Sequence, residues 1–255
     1  MISVTNIIFA SVMAVLGFLA GLPCCTILNK IPAEWLCDYD ETPSEELKSG
    51  QRFKFSKHGV IVGAALAVTF AAPVLSGGIT VEYFIEVCMF FVLALVAAAD
   101  AKYTIIPDQF TIAAAVIAVI FAVVDILTVQ QYMSKWYEPL IGIAAGAGVL
   151  IILDLFSMLV LKKEGFGFGD IKLMVALGMM FGWKYTVVML MAASFIAAIH
   201  FLILIFSGKG FGKEGIYLPM GPYRCIGAAV TVICQPWLNQ LFEMYKTVLH
   251  MEALP

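Results

Sequence analysis

Long apolar stretches follow one another along almost the whole chain, separated by short polar segments. A helix needs about 20 predominantly apolar residues to cross the hydrocarbon core of a bilayer, and several stretches reach this length. Only 13% of the 255 residues are charged and 62% are hydrophobic, whereas an average soluble domain has roughly 25% charged residues. Such a chain has too little polar surface to cover itself in water. We therefore predict an all-α, polytopic integral membrane protein.

The apolar stretches divide into about eight predicted transmembrane helices. The segment from Ile171 to Phe206 is too long for one span, and Gly182-Trp183-Lys184 inside it suggests a tight hairpin. No Lys or Arg precedes the first stretch, unlike in a signal peptide, so we expect that stretch to be retained as a span. The predicted spans are 5–28, 59–76, 84–100, 109–127, 139–161, 171–182, 185–206 and 217–237.

The distribution of basic residues predicts an orientation. If the N-terminus is outside, 12 of the 15 Lys and Arg residues fall in inside loops or at inside span ends. Basic residues concentrate on the cytoplasmic side, so the protein is expected to have its N-terminus outside the cytoplasmic membrane. The net charge of -3 and the lack of a basic stripe give no sign of nucleic-acid binding. The inside set is Lys30, Lys48, Arg52, Lys54, Lys57, Lys102, Lys162, Lys163, Lys172, Lys209, Lys213 and Arg224.

Two aspartates stand at predicted span ends on the same side of the membrane. Asp100 closes the third span, and Asp170 opens the sixth after a run of alternating glycines, 165–169. Carboxylates at the membrane are costly and call for a reason. Two carboxylates held close together keep one shared proton near neutral pH, so one could activate water while the other protonates a peptide carbonyl. The glycines would let the backbone approach an extended peptide closely.

Each of these features alone also has a structural explanation. Asp170 and Asp108 could serve as helix N-caps, and Lys172 could be an interfacial lysine whose charged end reaches water. We expect Asp125 to be solvated near the outer end of its span. Asp154, in mid-span, should have a partner such as a Ser, Thr or Tyr hydroxyl or the backbone of another span. The three histidines have no ligand spacing. We predict no metal and no cofactor.

Three motifs resemble those of the type IV prepilin peptidases, which are membrane aspartyl peptidases with a Gly-x-Gly-Asp sequence. Ala97-Ala98-Ala99-Asp100 followed by Pro107-Asp108 resembles the family's first aspartate motif. Residues 167–173, Gly-Phe-Gly-Asp-Ile-Lys-Leu, resemble the second. Residues 218–223 are similar to the Pro-Phe-Gly-Pro turn before the family's last span. The resemblance extends over about residues 84–236.

This resemblance implies a function and a set of site residues. The chain would be a single membrane peptidase domain, 1–255, in the bacterial cytoplasmic membrane. It would cut the short basic leader from type IV prepilins or pseudopilins, after a glycine and before their hydrophobic helix. Asp100 and Asp170 would form the catalytic pair. The residues implied to bind substrate or support the pair are Gly167, Gly169, Lys172, Pro107 and Asp108.

The hydrophilic segment 29–58 departs from the family pattern. We interpret it as a short cytoplasmic loop with some helical content. Many relatives carry a larger loop with two CxxC pairs, associated with methylation of the new N-terminus, whereas this loop has one cysteine, Cys37. We therefore assign no N-methyltransferase activity. A preference for basic leaders would use the loop's acidic residues, Asp38, Asp40, Glu41, Glu45 and Glu46.

Two other classes of function also fit membrane aspartates. A proton-coupled transporter would use them to relay protons, and it would show gradient-dependent uptake without proteolysis. A non-catalytic assembly subunit would tolerate Asp100→Ala and Asp170→Ala. The peptidase interpretation alone uses the glycine-rich backbone beside one of two aspartates at the same depth.

Overall fold

The computed structural model describes residues 3–37, 42–48, 50, 52–128, 130–162, 165, 167–207 and 218–248. All regular elements within these ranges are helical. The predicted all-α membrane architecture is confirmed, because seven of the described helices are long and apolar enough to cross a bilayer. In chain order the α-helices are α1 Val4–Lys30, α2 Glu45–Lys48, α3 Val60–Gly77, α4 Val81–Tyr103, α5 Asp108–Leu127, α6 Glu138–Ile143, α7 Val149–Leu161, α8 Phe168–Phe206 and α9 Gly221–Val248.

Short π-helical turns join or extend some of these helices. Phe55–Gly59 leads into α3, and Ala144–Gly148 joins α6 to α7, so that α6 and α7 act as one span. The loop between α1 and α3 contains a short 3₁₀ helix, Ala33–Leu36, as well as α2. The predicted helical content of this loop is therefore confirmed.

The α1–α3 pair is built on glycines that let the two backbones touch. A Cβ added at Gly17 would lie 2.5 Å from the Leu66 carbonyl oxygen, and one added at Gly63 would lie 2.5 Å from the Phe18 carbonyl oxygen. Between membrane helices the hydrophobic effect is weak, and small residues promote association by close packing. Most large apolar side chains elsewhere on α1 are exposed, as expected for a surface that faces lipid.

The long helix α8 folds back on itself at Gly182, whose φ of 64° is in the region that favours glycine. A Cβ added at Gly146 would lie 2.9 Å from the Met174 methyl group and 3.0 Å from the Thr186 methyl group. In a straight helix these two residues would be about 18 Å apart along the axis. The predicted hairpin is therefore confirmed: two of the eight predicted spans are the arms of this one helix.

Asp125 corrects one sequence expectation. Its side chain is fully buried instead of solvated. The chain after α5 turns back, and the backbone N–H groups of Gln131 and Met133 each donate to the Asp125 carboxylate at 2.8 Å. A third bond comes from the Tyr132 N–H at 3.2 Å. The carboxylate thereby ties the loop after α5 to the end of that helix.

Four helices position the site. Helix α4 packs against α5 and α9, and α8 packs against both α5 and α9. Their shared core contains Val96 on α4 and Leu173 and Leu177 on α8, all with 0% exposure. This packing brings together the C-terminal end of α4 and the N-terminal ends of α5, α8 and α9.

Candidate active site

Asp100 lies in the last turn of α4, which ends three residues later at Tyr103. Thr104 then takes a left-handed conformation, and its N–H donates to the Asp100 carbonyl oxygen at 2.8 Å. The carboxyl group is buried, with the residue only 6% exposed. Its Oδ2 accepts a 2.8 Å hydrogen bond from the N–H of Gly221, the first residue of α9.

Asp170 lies in the first turn of α8, where its N–H donates to the Gly167 carbonyl oxygen at 3.0 Å. Its side chain is 13% exposed and forms an ion pair with the guanidinium group of Arg224 on α9. Asp170 therefore has a direct cationic partner from another helix, and it is not merely a cap of its own helix.

One cavity of about 560 Å³ brings the predicted residues together. Both aspartates line it, although they lie far apart in the chain. The five residues predicted to support them, Gly167, Gly169, Lys172, Pro107 and Asp108, also line it. The wall is completed by residues from the 29–58 loop, among them Glu34 and Trp35, and by Leu218 and Met220 before α9.

Lys172 and Asp108 form an ion pair at the edge of this cavity. The Nζ atom of Lys172 lies 2.7 Å from Asp108 Oδ1, and both side chains are about one-third exposed. The same Nζ lies 4.6 Å from the centre of the Phe168 ring. Asp108 begins α5, where Pro107 occupies the cap position without a side-chain cap bond. The Asp108 side chain thus joins α5 to α8 instead of capping its own helix.

The glycine-rich segment before α8 packs tightly against two neighbouring elements. A Cβ added at Gly169 would lie 3.0 Å from the Ile106 Cβ atom. The Gly165 N–H donates to Asp154 Oδ1 at 2.8 Å. The mid-span aspartate therefore has a partner, as predicted, but this partner is the backbone between α7 and α8 instead of another span. Asp154 precedes the end of α7 at Leu161 by about 10 Å of helix. Gly165 therefore lies back alongside α7, and not beyond the end of that helix.

The 29–58 loop is fastened beside the cavity by buried polar contacts. Arg52 is 5% exposed and donates to the carbonyl oxygens of Leu47 at 2.6 Å and Ile31 at 2.8 Å. Lys102 Nζ, two residues after Asp100, donates to the Arg52 carbonyl oxygen at 2.6 Å. These bonds hold the 3₁₀ helix that carries Glu34 against the site.

The loop's predicted acidic cluster is only partly visible. Asp38, Asp40 and Glu41 lie outside the described residues, as do Lys163, Lys209 and Lys213 of the predicted inside set. Glu45 is exposed on α2. Among the described acidic residues of the loop, Glu34 lines the cavity, and we did not predict it.

Sequence reasoning also missed the contribution of α9. The sequence predicts Arg224 only as a basic residue at an inside span end, and it predicts no chemical role for the 218–223 turn. Arg224 is, however, the one charged residue in the predicted span 217–237. Because an isolated charge in a span is expensive, that position could have indicated a buried partner.

Comparison with known proteins agrees with the motifs. The Type IV leader peptidase family matches residues 87–202, a region that contains Asp100 and Asp170 but ends before α9. No solved structure gives a significant match.

Several curated relatives carry the name prepilin leader peptidase/N-methyltransferase. The protein of Escherichia coli K12 is 26% identical over 70% of this chain and 73% of its own length. The protein of Bacillus subtilis 168 is 26% identical over 66% of this chain and 62% of its own length. The Aeromonas hydrophila protein is 32% identical, but the match spans only 41% of this chain and 35% of that protein. On these matches and motifs, residues 87–202 of the chain belong to the Type IV leader peptidase family.

Proposed function

We propose that this chain is an intramembrane aspartyl endopeptidase that removes the leader of type IV prepilins or pseudopilins, with Asp100 and Asp170 as its acid–base pair. The observation that carries the proposal is that both carboxyl groups line one cavity at the meeting point of α4, α8 and α9. The relatives' names, which refer to prepilin leaders, give the substrate class.

The chemistry follows from two carboxyl groups that share a proton. The ionised group takes a proton from a water molecule, whose oxygen then bonds to the carbonyl carbon of the scissile peptide. The protonated group donates to the carbonyl oxygen. When the carbon–nitrogen bond breaks, a proton passes to the departing amine, so the leader ends in a new carboxylate and the pilin begins with a new amino group.

The surroundings of the pair suit an extended, basic peptide. The glycines at 165, 167 and 169 leave space for a peptide backbone along one side of the cavity, because no side chain projects from them. At the rim, the Asp108 carboxylate is balanced by Lys172. Glu34 lines the same cavity on an exposed position of the 3₁₀ helix, and it adds a negative charge where a basic leader would enter.

We further propose that the N-terminus lies outside and the catalytic pair lies at the cytoplasmic edge. The excess of basic residues at the predicted inside ends supports this orientation. It fits a substrate whose leader is cytoplasmic and whose hydrophobic helix crosses the membrane. N-methylation remains outside the proposal, since the 29–58 segment contains a single cysteine.

Cleavage of a membrane-embedded prepilin by the purified protein tests the function. Wild type is expected to cut between the leader and the hydrophobic helix, and the product masses identify the bond. Asp100→Asn and Asp170→Asn should each lower the rate of cleavage by about 1,000-fold or more. Glu243→Gln, exposed near the end of α9 that lies away from Gly221, is the carboxylate control and should cut normally.

Two results would contradict the proposal. If either dyad variant cleaves at the wild-type rate, that aspartate is structural and the acid–base pair is wrong. If wild type cuts no prepilin or pseudopilin but mediates proton-dependent uptake, the protein is a transporter.

A further inference from the structure

We propose that Arg224 determines which aspartate of the catalytic pair is the base and which is the acid. It keeps Asp170 ionised as the base, and the shared proton stays on Asp100, the acid. This inference rests on the peptidase function proposed above. It concerns α9, which lies beyond the region matched by the family.

The first turn of α9 contacts both aspartates, but with groups of different charge. Gly221 offers Asp100 one neutral backbone N–H. Arg224, one helical turn later, offers Asp170 a full positive charge. Hydrogen bonds to a charged group are roughly twice as strong as neutral ones. The two carboxyl groups are therefore unequal before any substrate binds.

Because Arg224 is buried, this difference in charge decides which carboxyl group is ionised. Arg224 is 2% exposed, and no other charged residue follows it in α9 until Glu243. An uncompensated guanidinium group at such a position would be severely destabilising. Its direct ion pair with Asp170 supplies the compensation, which requires that Asp170 be negatively charged.

The charge balance of the described site then places the proton. The described titratable groups that interact with Asp170 or line its cavity are Asp100 from α4, Asp108 from α5, Lys172 from α8, Arg224 and the Cys225 thiol from α9, and Glu34 and Cys37 from the 29–58 loop. Lys172 is engaged by Asp108 of α5, so Arg224 is the cation available to the pair. One guanidinium and one carboxylate give a neutral centre if Asp100 is protonated. A second ionised carboxylate would leave a net buried negative charge, which is costly.

The contacts also indicate which atoms react. Oδ2 of Asp100 accepts the Gly221 N–H, so its proton belongs on Oδ1. Oδ1 of Asp170 faces Arg224, so Oδ2 is left to accept a proton from water. The water oxygen bonds to the peptide carbon while Asp100 donates to the carbonyl oxygen. Arg224 touches neither atom, and it acts as a positioning residue.

The test is the pH dependence of kcat/KM for prepilin cleavage in Arg224→Met and Arg224→Lys. Below a certain pH the base becomes protonated and the rate falls. Removing the cation makes the base bind its proton more readily, so in Arg224→Met this fall should begin about 1–3 pH units higher than in wild type. Arg224→Lys keeps a positive charge and should restore most of the wild-type profile.

A control separates this effect from a general loss of positive charge. Lys172→Met removes a cation whose partner is Asp108. The pH below which kcat/KM of this variant falls should therefore equal that of wild type, even where the rate itself differs. Wild-type cleavage, measured first, tests the proposed function independently of any Arg224 variant.

If the rate of Arg224→Met falls at the same acidic pH as that of wild type, the inference is overturned. It is also overturned if Arg224→Lys folds but loses activity at the same higher pH as Arg224→Met. If Arg224→Met does not fold, Asp170→Asn combined with Arg224→Met should recover folding, because no unpaired buried charge remains. Failure of that double variant to fold better than Arg224→Met would also overturn it.

Discussion

At Gly221 the absence of a side chain is a requirement of the site. A Cβ at this position would lie 2.6 Å from Asp100 Oδ2 and 3.0 Å from its carboxyl carbon. The same backbone supplies the N–H that holds Asp100. A single atom added here would therefore push the proposed acid away from the substrate.

Gly221→Ala is accordingly expected to lower kcat/KM for prepilin cleavage by about 100-fold, the usual effect of a displacement near 1 Å at a reacting group. Gly148→Ala is the matched control, since its added Cβ would meet only the Ala144 Cβ at 4.0 Å. Equal activity of Gly221→Ala and Gly148→Ala would show that the Gly221–Asp100 contact does not matter for catalysis.

Residue types could be predicted from the sequence, but their partners could not. Asp100 and Asp170 stood out because carboxylates at span ends are expensive, and the family motifs surround them. The pairing of Arg224 with Asp170 depends on how α9 packs against α8, which no local pattern encodes. Asp125 was wrongly expected to be solvated because a loop that turns back on its own helix leaves no periodic signal.

Among the elements, the glycine-rich segment before α8 depends on α7 for its position. Asp154 accepts the Gly165 N–H at 2.8 Å, and a Cβ at Gly165 would lie 2.9 Å from the Ser157 Cβ. Asp154 does not line the catalytic cavity among the described residues, so its effect on cleavage would be indirect.

Replacing Asp154 with Leu should loosen this segment and lower kcat about 10-fold, because the bond to an ionised acceptor contributes about 1.5–3 kcal/mol. Asp154→Asn keeps an oxygen acceptor and should retain more activity than Asp154→Leu. Hydrogen exchange of the glycine-rich amides, compared between the variants, reports the loosening directly. Unchanged exchange and cleavage in Asp154→Leu would refute this role.

The 3₁₀ helix Ala33–Leu36 places Glu34 at the wall of the catalytic cavity. Glu34→Lys reverses the one acidic charge that this helix presents to the cavity, so it should raise KM for leaders with two or more basic residues. For a leader with its basic residues replaced by glutamine, KM should change little. Glu243→Lys, with the same charge change near the far end of α9, is the control. A KM increase independent of leader charge would exclude an electrostatic role for Glu34.

The elements themselves were largely predictable, since apolar length and the Gly182 break are local features. The ends of the first five predicted spans lie within three residues of the ends of α1, α3, α4, α5 and the joined helices α6 and α7. The role of the 29–58 loop could not be predicted from the sequence. Its contact with the site depends on hydrogen bonds of Arg52 and Lys102 between distant parts of the chain.

For the molecule as a whole, the proposed orientation sets which side of the membrane meets the leader. An epitope at the N-terminus should be reached by antibody in intact spheroplasts. An epitope inserted at Gly50, where an added Cβ would meet nothing within 4 Å, should be reached only after the membrane is opened. The reverse pattern would put the catalytic cavity outside and contradict cleavage of a cytoplasmic leader.

The central claim is that Asp100 and Asp170 act as one acid–base unit, and a double-mutant cycle in the prepilin cleavage assay tests it most directly. Asp100→Asn and Asp170→Asn should each lower kcat by about 1,000-fold or more, and the double variant should lose no more than either alone, since residues that act as a unit are non-additive. A single variant near wild-type rate, or losses that multiply in the double variant, would contradict it.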